Sequence, residues 1–317
     1  MDNIILIILG LVALYFGGEW LIRASSRLAS ALGIPTLLVG LTVVAFGTSA
    51  PELVVSVSAA TQGVSDISLG NVVGSNIANI GLILGLAGLI LPLTIEVSMI
   101  SVRDTDNDRH FVVHGAAGLD GTISQFDGLL LFGGYLLFTF VLYRLSRRSK
   151  ANGHYSEEVA AVEGNPPRIS LSKEGLRLVA GLVMLVAGAQ GMVAGATSIA
   201  RSFGVSELLI GLTLVAVGTS LPEIATSVLA VRRGHTDIAV GNAVGSNIAN
   251  LLAVLGLTAV IRPVPVDPAL LRFEIPVMIV FAVVSLILML DRQLARWQAA
   301  LLLAGYAVFI VCMVLRA

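Results

Sequence analysis

"VAFGTSAPELVVS", residues 44–56, puts Pro51 and Glu52 inside an apolar run long enough to cross a membrane. Proline breaks or kinks a helix interior, and a carboxylate in hydrocarbon is expensive wherever it has no functional partner. The chain nevertheless repeats both at "VAVGTSLPEIATS", residues 215–227. A shift of 171 positions lays residues 40–86 on 211–257 without a gap, and about 28 of the 47 positions are identical. Thr48 falls on Thr219, Ser49 on Ser220, Pro51 on Pro222 and Glu52 on Glu223, while "GSNIAN" at 74–79 falls on "GSNIAN" at 245–250. The chain is an internal duplication, and its fold has to be read as two copies of one unit.

Composition says where that unit sits. Of 317 residues 56 % are hydrophobic and 12 % charged, with a mean hydropathy of +0.94. A soluble domain carries about 25 % charged residues. Several apolar runs reach the roughly 20 residues that span a bilayer as helix, so the class is an all-α polytopic membrane protein. A net charge of −1 offers nucleic acid no basic surface. The lone Cys312 provides neither a disulfide framework nor a thiolate metal site. The first apolar run, Ile4 to Ile22, has no basic leader and no small-residue cleavage site, and reads as a span rather than a removed signal.

Apolar runs place spans near 3–22, 35–60, 67–91 and 126–143, then near 176–198, 206–231, 238–261, 273–290 and 297–315. The polar stretch 144–175, with Pro166-Pro167, is a linker. Counting one further span before 126 gives ten transmembrane helices: a first five-helix repeat at 1–143 with its motif at 40–86, and a second at 176–317 with its motif at 211–257. Arg144, Arg147, Arg148 and Lys150 then make the linker cytoplasmic by the positive-inside rule. On that topology about 14 Lys and Arg residues lie inside and about four outside, with both termini external. An odd number of spans per copy turns the copies over relative to each other, an inverted repeat.

The fourth span is the exception. Residues 103–120 read "RDTDNDRHFVVHGAAGLD", far too polar for lipid. An EF-hand loop beginning at Asp104 would need Gly where Arg109 stands and Glu where Gly115 stands. His110 and His114 lack the adjoining Glu of a zinc protease. A one-base shift of the coding frame over 104–119 can encode "IPIMIATSLFMVLLAW", which resembles "IPVMIVFAVV" at 275–284 in the other copy. A shifted read keeps the count at ten, whereas dropping the span leaves four in the first half, makes the repeats parallel and spoils the charge asymmetry.

The repeated motif is an oxygen-ligand set. A helix broken around Gly47–Pro51 frees carbonyls, which membrane depth tolerates only at a cavity or a ligand. Thr48, Ser49 and Glu52 add side-chain oxygens, with Thr48 and Glu52 four apart. Ser75 and Asn79 follow on the next span, and the other copy supplies Thr219, Ser220, Glu223, Ser246 and Asn250. Two carboxylates among carbonyls, hydroxyls and amides, without His or Cys, suit a hard cation: calcium, which takes six to eight oxygens, or sodium singly. No Lys or Arg lies in these spans to neutralise the acids. Glu19, whose repeat position holds Gln190, reads as interfacial, and Asp66 and Asp237 read as helix caps. An intramembrane hydrolase built on Ser49 or Ser220 would lack a base in the core spans, and a channel would pass ions without a counter-ion.

"GTSAPE…GNVVGSNIAN" and "GTSLPE…GNAVGSNIAN" closely resemble the two α-repeats of the sodium/calcium exchanger family, and the short linker resembles its prokaryotic branch. The resemblance implies a core of spans 2, 3, 7 and 8 with spans 1 and 6 sliding across it. It implies a calcium site of Glu52, Glu223, Thr48 and Thr219, and sodium sites lined by Ser49, Ser75, Asn79, Ser220, Ser246 and Asn250 with the carbonyls of Ala45 and Ala216. Some members carry Asp at the position of Asn250, so the site here holds two formal charges. The function implied is Na⁺/Ca²⁺ antiport by alternating access, not enzymatic, with no cofactor, with the ions as cargo, working as a monomer in the cell (inner) membrane. The proton-coupled branch usually has "GN" before the acid in place of "GTSxP"; H⁺/Ca²⁺ antiport through the same site is the alternative.

Overall fold

The computed structural model describes residues 2–32, 34–94, 121–151, 170–204 and 216–316. The expected fourth span at 103–120, the linker at 152–169 and the start of the seventh span at 205–215 lie outside the described residues. In chain order the helices are α1 (Asp2–Leu32), α2 (Thr36–Thr48), α3 (Ala50–Gln62), and α4, which runs through Ser65–Ala78, Asn79–Leu84 and Gly85–Ile90. There follow α5 (Gln125–Ala151), α6 (Leu171–Ser202), α7 (Ala216–Thr219), α8 (Leu221–Arg232), α9 (Thr236–Ile261), α10 (Pro268–Leu288) and α11 (Arg296–Arg316). Seven of these are long and apolar enough to cross a membrane, and the bent pair α2 and α3 passes the same test only when taken together, as one broken span or a re-entrant loop. The outward residues of α1, α5, α10 and α11, such as Ile8, Leu129, Leu286 and Val308, are exposed and apolar, as lipid contact requires. This is a multi-pass integral membrane protein.

The duplication is visible in the element boundaries. α3 begins at Ala50 and α8 at Leu221; α5 begins at Gln125 and α11 at Arg296, each 171 residues on. Four two-residue strands obey the same shift: β1 (Leu93–Thr94) matches β3 (Val264–Pro265), and β2 (Thr122–Ile123) matches β4 (Gln293–Leu294). They pair between the halves. Leu93 lies opposite Leu294, and Ile123 opposite Val264, both antiparallel. α5 packs against the last turns of α9, and α11 correspondingly against the end of α4.

α1 runs ten residues beyond the apolar stretch because its polar end is satisfied: Arg27 meets Glu174 of α6 at 3.0 Å. α1 and α6 are antiparallel and in backbone contact. Gly10 faces Gly188, Gly17 faces Gly181, and Gly195 faces Asn3. A Cβ on Gly10 would stand 2.6 Å from the Gly188 carbonyl oxygen. Small residues at such spacing let membrane helices approach closely, where dispersion replaces the absent hydrophobic drive. Asn3 donates to Ser198 at 2.8 Å at the far end, so the pair is tied at both ends.

α2, α3, α4, α7, α8 and α9 form the centre. α2 crosses α9 where Gly40, Gly241 and Gly245 remove the side chains; a Cβ on Gly245 would stand 2.5 Å from the Leu41 carbonyl. Val72, Ile77, Ile83, Ala243 and Val254 pack in the central core, and Leu14, Leu21, Val44 and Leu185 join α1 and α6 to it. α3 and α8 end in left-handed glycines, Gly63 at φ 82° and Gly234 at φ 80°. The capping expectation needs correction here. The residues preceding the next helices' first turns are Val64 and His235, while Asp66 and Asp237 fall at the second position inside each helix. The glycine turn leaves a single residue before the new helix begins. Asp237 therefore sits in the first turn, where a carboxylate complements the helix dipole without being the cap.

Candidate functional site

Each repeat breaks its second span at the residue before the repeated Ala/Leu-Pro-Glu. Ser49 has φ −78° and ψ 8°, Ser220 has φ −88° and ψ 7°, and α2 meets α3 at 42°. Pro51 and Pro222 do not interrupt a helix so much as begin one. They occupy its second position, where the missing N–H has no intrahelical partner to lose. Glu52 and Glu223 then fall third in a helix N-terminal turn, where exposed amides and the dipole favour negative charge.

Ser-x-Pro-Glu has the spacing of a capping box, in which serine would bond its own helix. Neither serine does so. Ser49 Oγ donates to Glu223 Oε1 at 3.3 Å, and Ser220 Oγ donates to Glu52 Oε1 at 3.3 Å. Each cap has been turned onto the other repeat's carboxylate. The threonines follow the same crossing, Thr219 toward Glu52 and Thr48 toward Glu223. Thr48 and Glu52 were expected to share one helix face. They flank the bend at Ser49, and the serine hydroxyl between them reaches across to the other repeat's carboxylate, as that of Ser220 does in return.

Both carboxylates are buried, Glu52 at 0 % and Glu223 at 1 % exposure, and close enough to interact electrostatically. Glu52 Oε2 and Glu223 Oε2 find no hydrogen-bond donor among the described residues. Two partly unsatisfied carboxylates buried without a counter-charge are costly unless a cation joins them. No group of three or more His, Cys, Asp or Glu is assembled among the described residues, so any cation held here draws the rest of its shell from neutral oxygens.

The other expected ligands spread along the same crossing. Ser246 Oγ reaches the Ala45 carbonyl at 3.5 Å, and that carbonyl also accepts from Ser49 N–H at 3.0 Å and from Thr48 Oγ1 at 3.2 Å. Asn79 donates to Asn247 Oδ1 at 2.9 Å, while the amide of Asn250 has no partner among the described residues. Both asparagines mark π-helical turns, Asn79–Leu84 and Ala249–Val254. Such turns widen a helix by one residue and recur at functional sites. Ser75 is buried on α4, and Ala216 is the first residue of α7.

A supporting layer escaped the sequence reading. Asn242 donates to the Glu223 carbonyl at 3.3 Å and to Ser227 Oγ at 3.0 Å, and accepts from Thr48 at 3.1 Å. Asn71 repeats this on the other side, reaching the Glu52 carbonyl at 3.1 Å and Ser56 Oγ at 2.9 Å. Each acid-bearing helix is thereby bolted to the helix that follows it. The signal was present: Ser56, Asn71 and Asn76 recur unchanged as Ser227, Asn242 and Asn247.

Comparison with known proteins gives a consistent picture. A family model described as "Sodium/calcium exchanger protein" matches residues 3–144 and 175–315. The sodium/calcium exchanger MaX1 of Methanosarcina acetivorans is 32 % identical, over 98 % of this chain and 97 % of its own. The inner membrane protein YrbG of Escherichia coli is 36 % identical, over 96 % of this chain and 94 % of its own. Among solved structures, the sodium-calcium exchanger NCX_Mj soaked with Na⁺ and Sr²⁺ superimposes with a TM-score of 0.80 at 30 % identity, covering 98 % of this chain and 99 % of its own.

Proposed function

This chain belongs to the sodium/calcium exchanger family, a family of transporters rather than enzymes, and we propose that it exchanges Na⁺ for Ca²⁺ by alternating access. The observation that carries the reading is the reciprocal pair: two buried carboxylates, each held by a hydroxyl of the opposite repeat and each with an oxygen that meets no donor among the described residues. Ca²⁺ would be held by Glu52, Glu223, Thr48 and Thr219. Na⁺ would use Ser49, Ser75, Asn79, Ser220, Ser246 and Asn250 with the carbonyls of Ala45 and Ala216. Two negative charges neutralise one Ca²⁺ or two Na⁺, and further Na⁺ can rest on neutral oxygens. Because both cargoes draw on the charge of the same two carboxylates, one must leave before the other binds.

The topology proposed is ten spans in two inverted repeats, 1–143 and 176–317, joined by a cytoplasmic linker at 144–175, in the cell's inner membrane with both termini outside. Two observations support it. α1 and α6 are repeat equivalents, yet they run antiparallel. Thr94 lies beside Thr236, the first residue of α9, at 3.2 Å, whereas Ile123 pairs with Val264 beyond the other end of that helix. The described residues Thr94 and Ile123 therefore lie at opposite ends of α9.

The test is calcium uptake into proteoliposomes loaded with sodium and diluted into sodium-free buffer at clamped pH and voltage. Uptake that requires internal sodium is expected. Uptake driven by an imposed pH gradient alone would instead assign proton coupling, and ion flux without any counter-ion would overturn antiport. Substituting Asn242→Ala in the same assay should weaken calcium about tenfold, the usual effect of removing a support behind a metal ligand. A calcium titration within twofold of the parent would show that Asn242 supports the fold but not the site.

A further inference from the structure

α1 and α6 are joined to each other by glycine contacts and by a polar tie at each end, and so form one body lying against the central helices. Among the described residues, a single ion pair fastens that body to the centre. Glu19 on α1 is buried at 8 % exposure, and both its oxygens accept from one guanidinium edge, Nε and Nη2, of Arg233, just past α8; the Nε–Oε1 distance is 2.8 Å. Arg23 flanks the same carboxylate at 3.2 Å. Beside this pair Leu229 is buried in the notch left by Gly18, and α1 packs along α8.

The duplicated half tells a different story. The equivalents of Glu19 and Arg233 are Gln190 and Gln62, both exposed, and the equivalent of Leu229 is Ser58, also exposed. Gln62 bonds Ser58 within its own helix at 2.9 Å. α6 touches α2, α7 and α8 but makes no packing against α3 comparable to that of α1 on α8. Among the described residues, packing is thus close between α1 and α8 and sparse between α6 and α3. In the oppositely facing state the halves exchange roles, and two neutral glutamines meet where this state has a salt bridge on a buried carboxylate.

We propose that Glu19 and Arg233 are positioning residues forming a one-sided ionic latch, which biases the resting transporter toward the state closed to the cytoplasm. The inference rests on the alternating-access reading and on the topology that puts both residues at the inner face. Two inverted copies with identical contacts would have end states of equal energy. Here the Glu–Arg to Gln–Gln difference breaks that equality, in favour of an unloaded site that faces outward. The latch draws its strength from the burial of the Glu19 carboxylate, and its exposed arginine partners make it sensitive to salt.

The test uses oriented proteoliposomes and the ratio of calcium half-saturation at the inner face to that at the outer face. Each apparent constant scales inversely with the population facing that side. Glu19→Gln and Arg233→Gln should each lower this ratio about tenfold. The charge-reversed pair Glu19→Arg with Arg233→Glu should restore it. Adding Gln190→Glu with Gln62→Arg to the unaltered protein should create an opposing latch and lower the ratio likewise, which keeps the proposal testable if the single variants fail to insert. A ratio unchanged in the single variants, or unmoved by the added outer pair, would overturn the latch while exchange itself continued. Absence of exchange in the parent protein would instead remove the function on which the latch depends.

Discussion

Glu52→Gln and Glu223→Gln should each lower sodium-dependent calcium uptake by about a hundredfold or more, a loss of some 3 kcal/mol at the site. Glutamine keeps the volume of the side chain and still offers Ser220 or Ser49 an acceptor, so the change is confined to charge. With both carboxylates present a bound Ca²⁺ leaves the buried centre neutral. With one it leaves a net positive charge that no further acidic side chain among the described residues joins to offset, and the ion stays in solution. The same substitution relieves an uncompensated buried charge in the ion-free protein. The variants should therefore melt in calcium-free detergent at or above the parent's temperature. Loss of uptake with unchanged or raised melting temperature identifies a ligand; loss of both identifies a structural residue. Uptake near the parental rate in either variant would remove the carboxylate pair from the site.

The recurrence of Thr-Ser-x-Pro-Glu made the candidate site legible because a membrane span has few reasons to carry a carboxylate twice. Chance and packing can account for Pro51 alone, but not for Pro51 and Pro222 each followed by an acid at the same depth. What the sequence could not show was which partner each group would choose. Ser49 lies three residues before Glu52, a spacing that favours a local cap, and only the packed structure reveals that its hydroxyl goes to Glu223. Local periodicity describes one helix at a time, whereas this site is made by two helix breaks facing each other. The π-helical turns at Asn79 and Ala249 were equally silent, since one extra residue in a turn leaves no compositional mark. Asn71 and Asn242 are another matter. They stood inside the matched segment, and their identity at the 171-residue shift could have placed them behind the acids.

Departures from the duplication are as informative as the duplication itself. A perfectly repeated chain would have interchangeable faces. Glu19 against Gln190 and Arg233 against Gln62 differ at the only ion pair that, among the described residues, links α1 and α6 to the centre. Comparing a sequence with its own second copy thus sorts residues into two sets: those needed in both halves for the cargo, and those kept in one half to make the faces unequal.

The largest effect expected outside the carboxylates comes from the glycines of α1 and α6. Gly188→Val should abolish transport and lower the melting temperature of the purified protein, because no rotamer change can make room. A Cβ at this position already stands 2.8 Å from the Gly10 carbonyl oxygen and 3.0 Å from the backbone nitrogen of Leu14. Backbone cannot turn aside as a side chain can, so the two helices would have to separate along their length. Separation would forfeit the close dispersion contacts that hold membrane helices together and would pull at the ties from Asn3 to Ser198 and from Arg27 to Glu174. A cost of about 3 kcal/mol is the scale expected for overpacking a tight interface. Gly175→Val is the control on the same helix, since nothing lies within 4 Å of a Cβ there. It should leave melting and uptake near parental values. If Gly188→Val behaved like Gly175→Val, the backbone contact would not be what joins α1 and α6, and they could no longer be treated as one moving body.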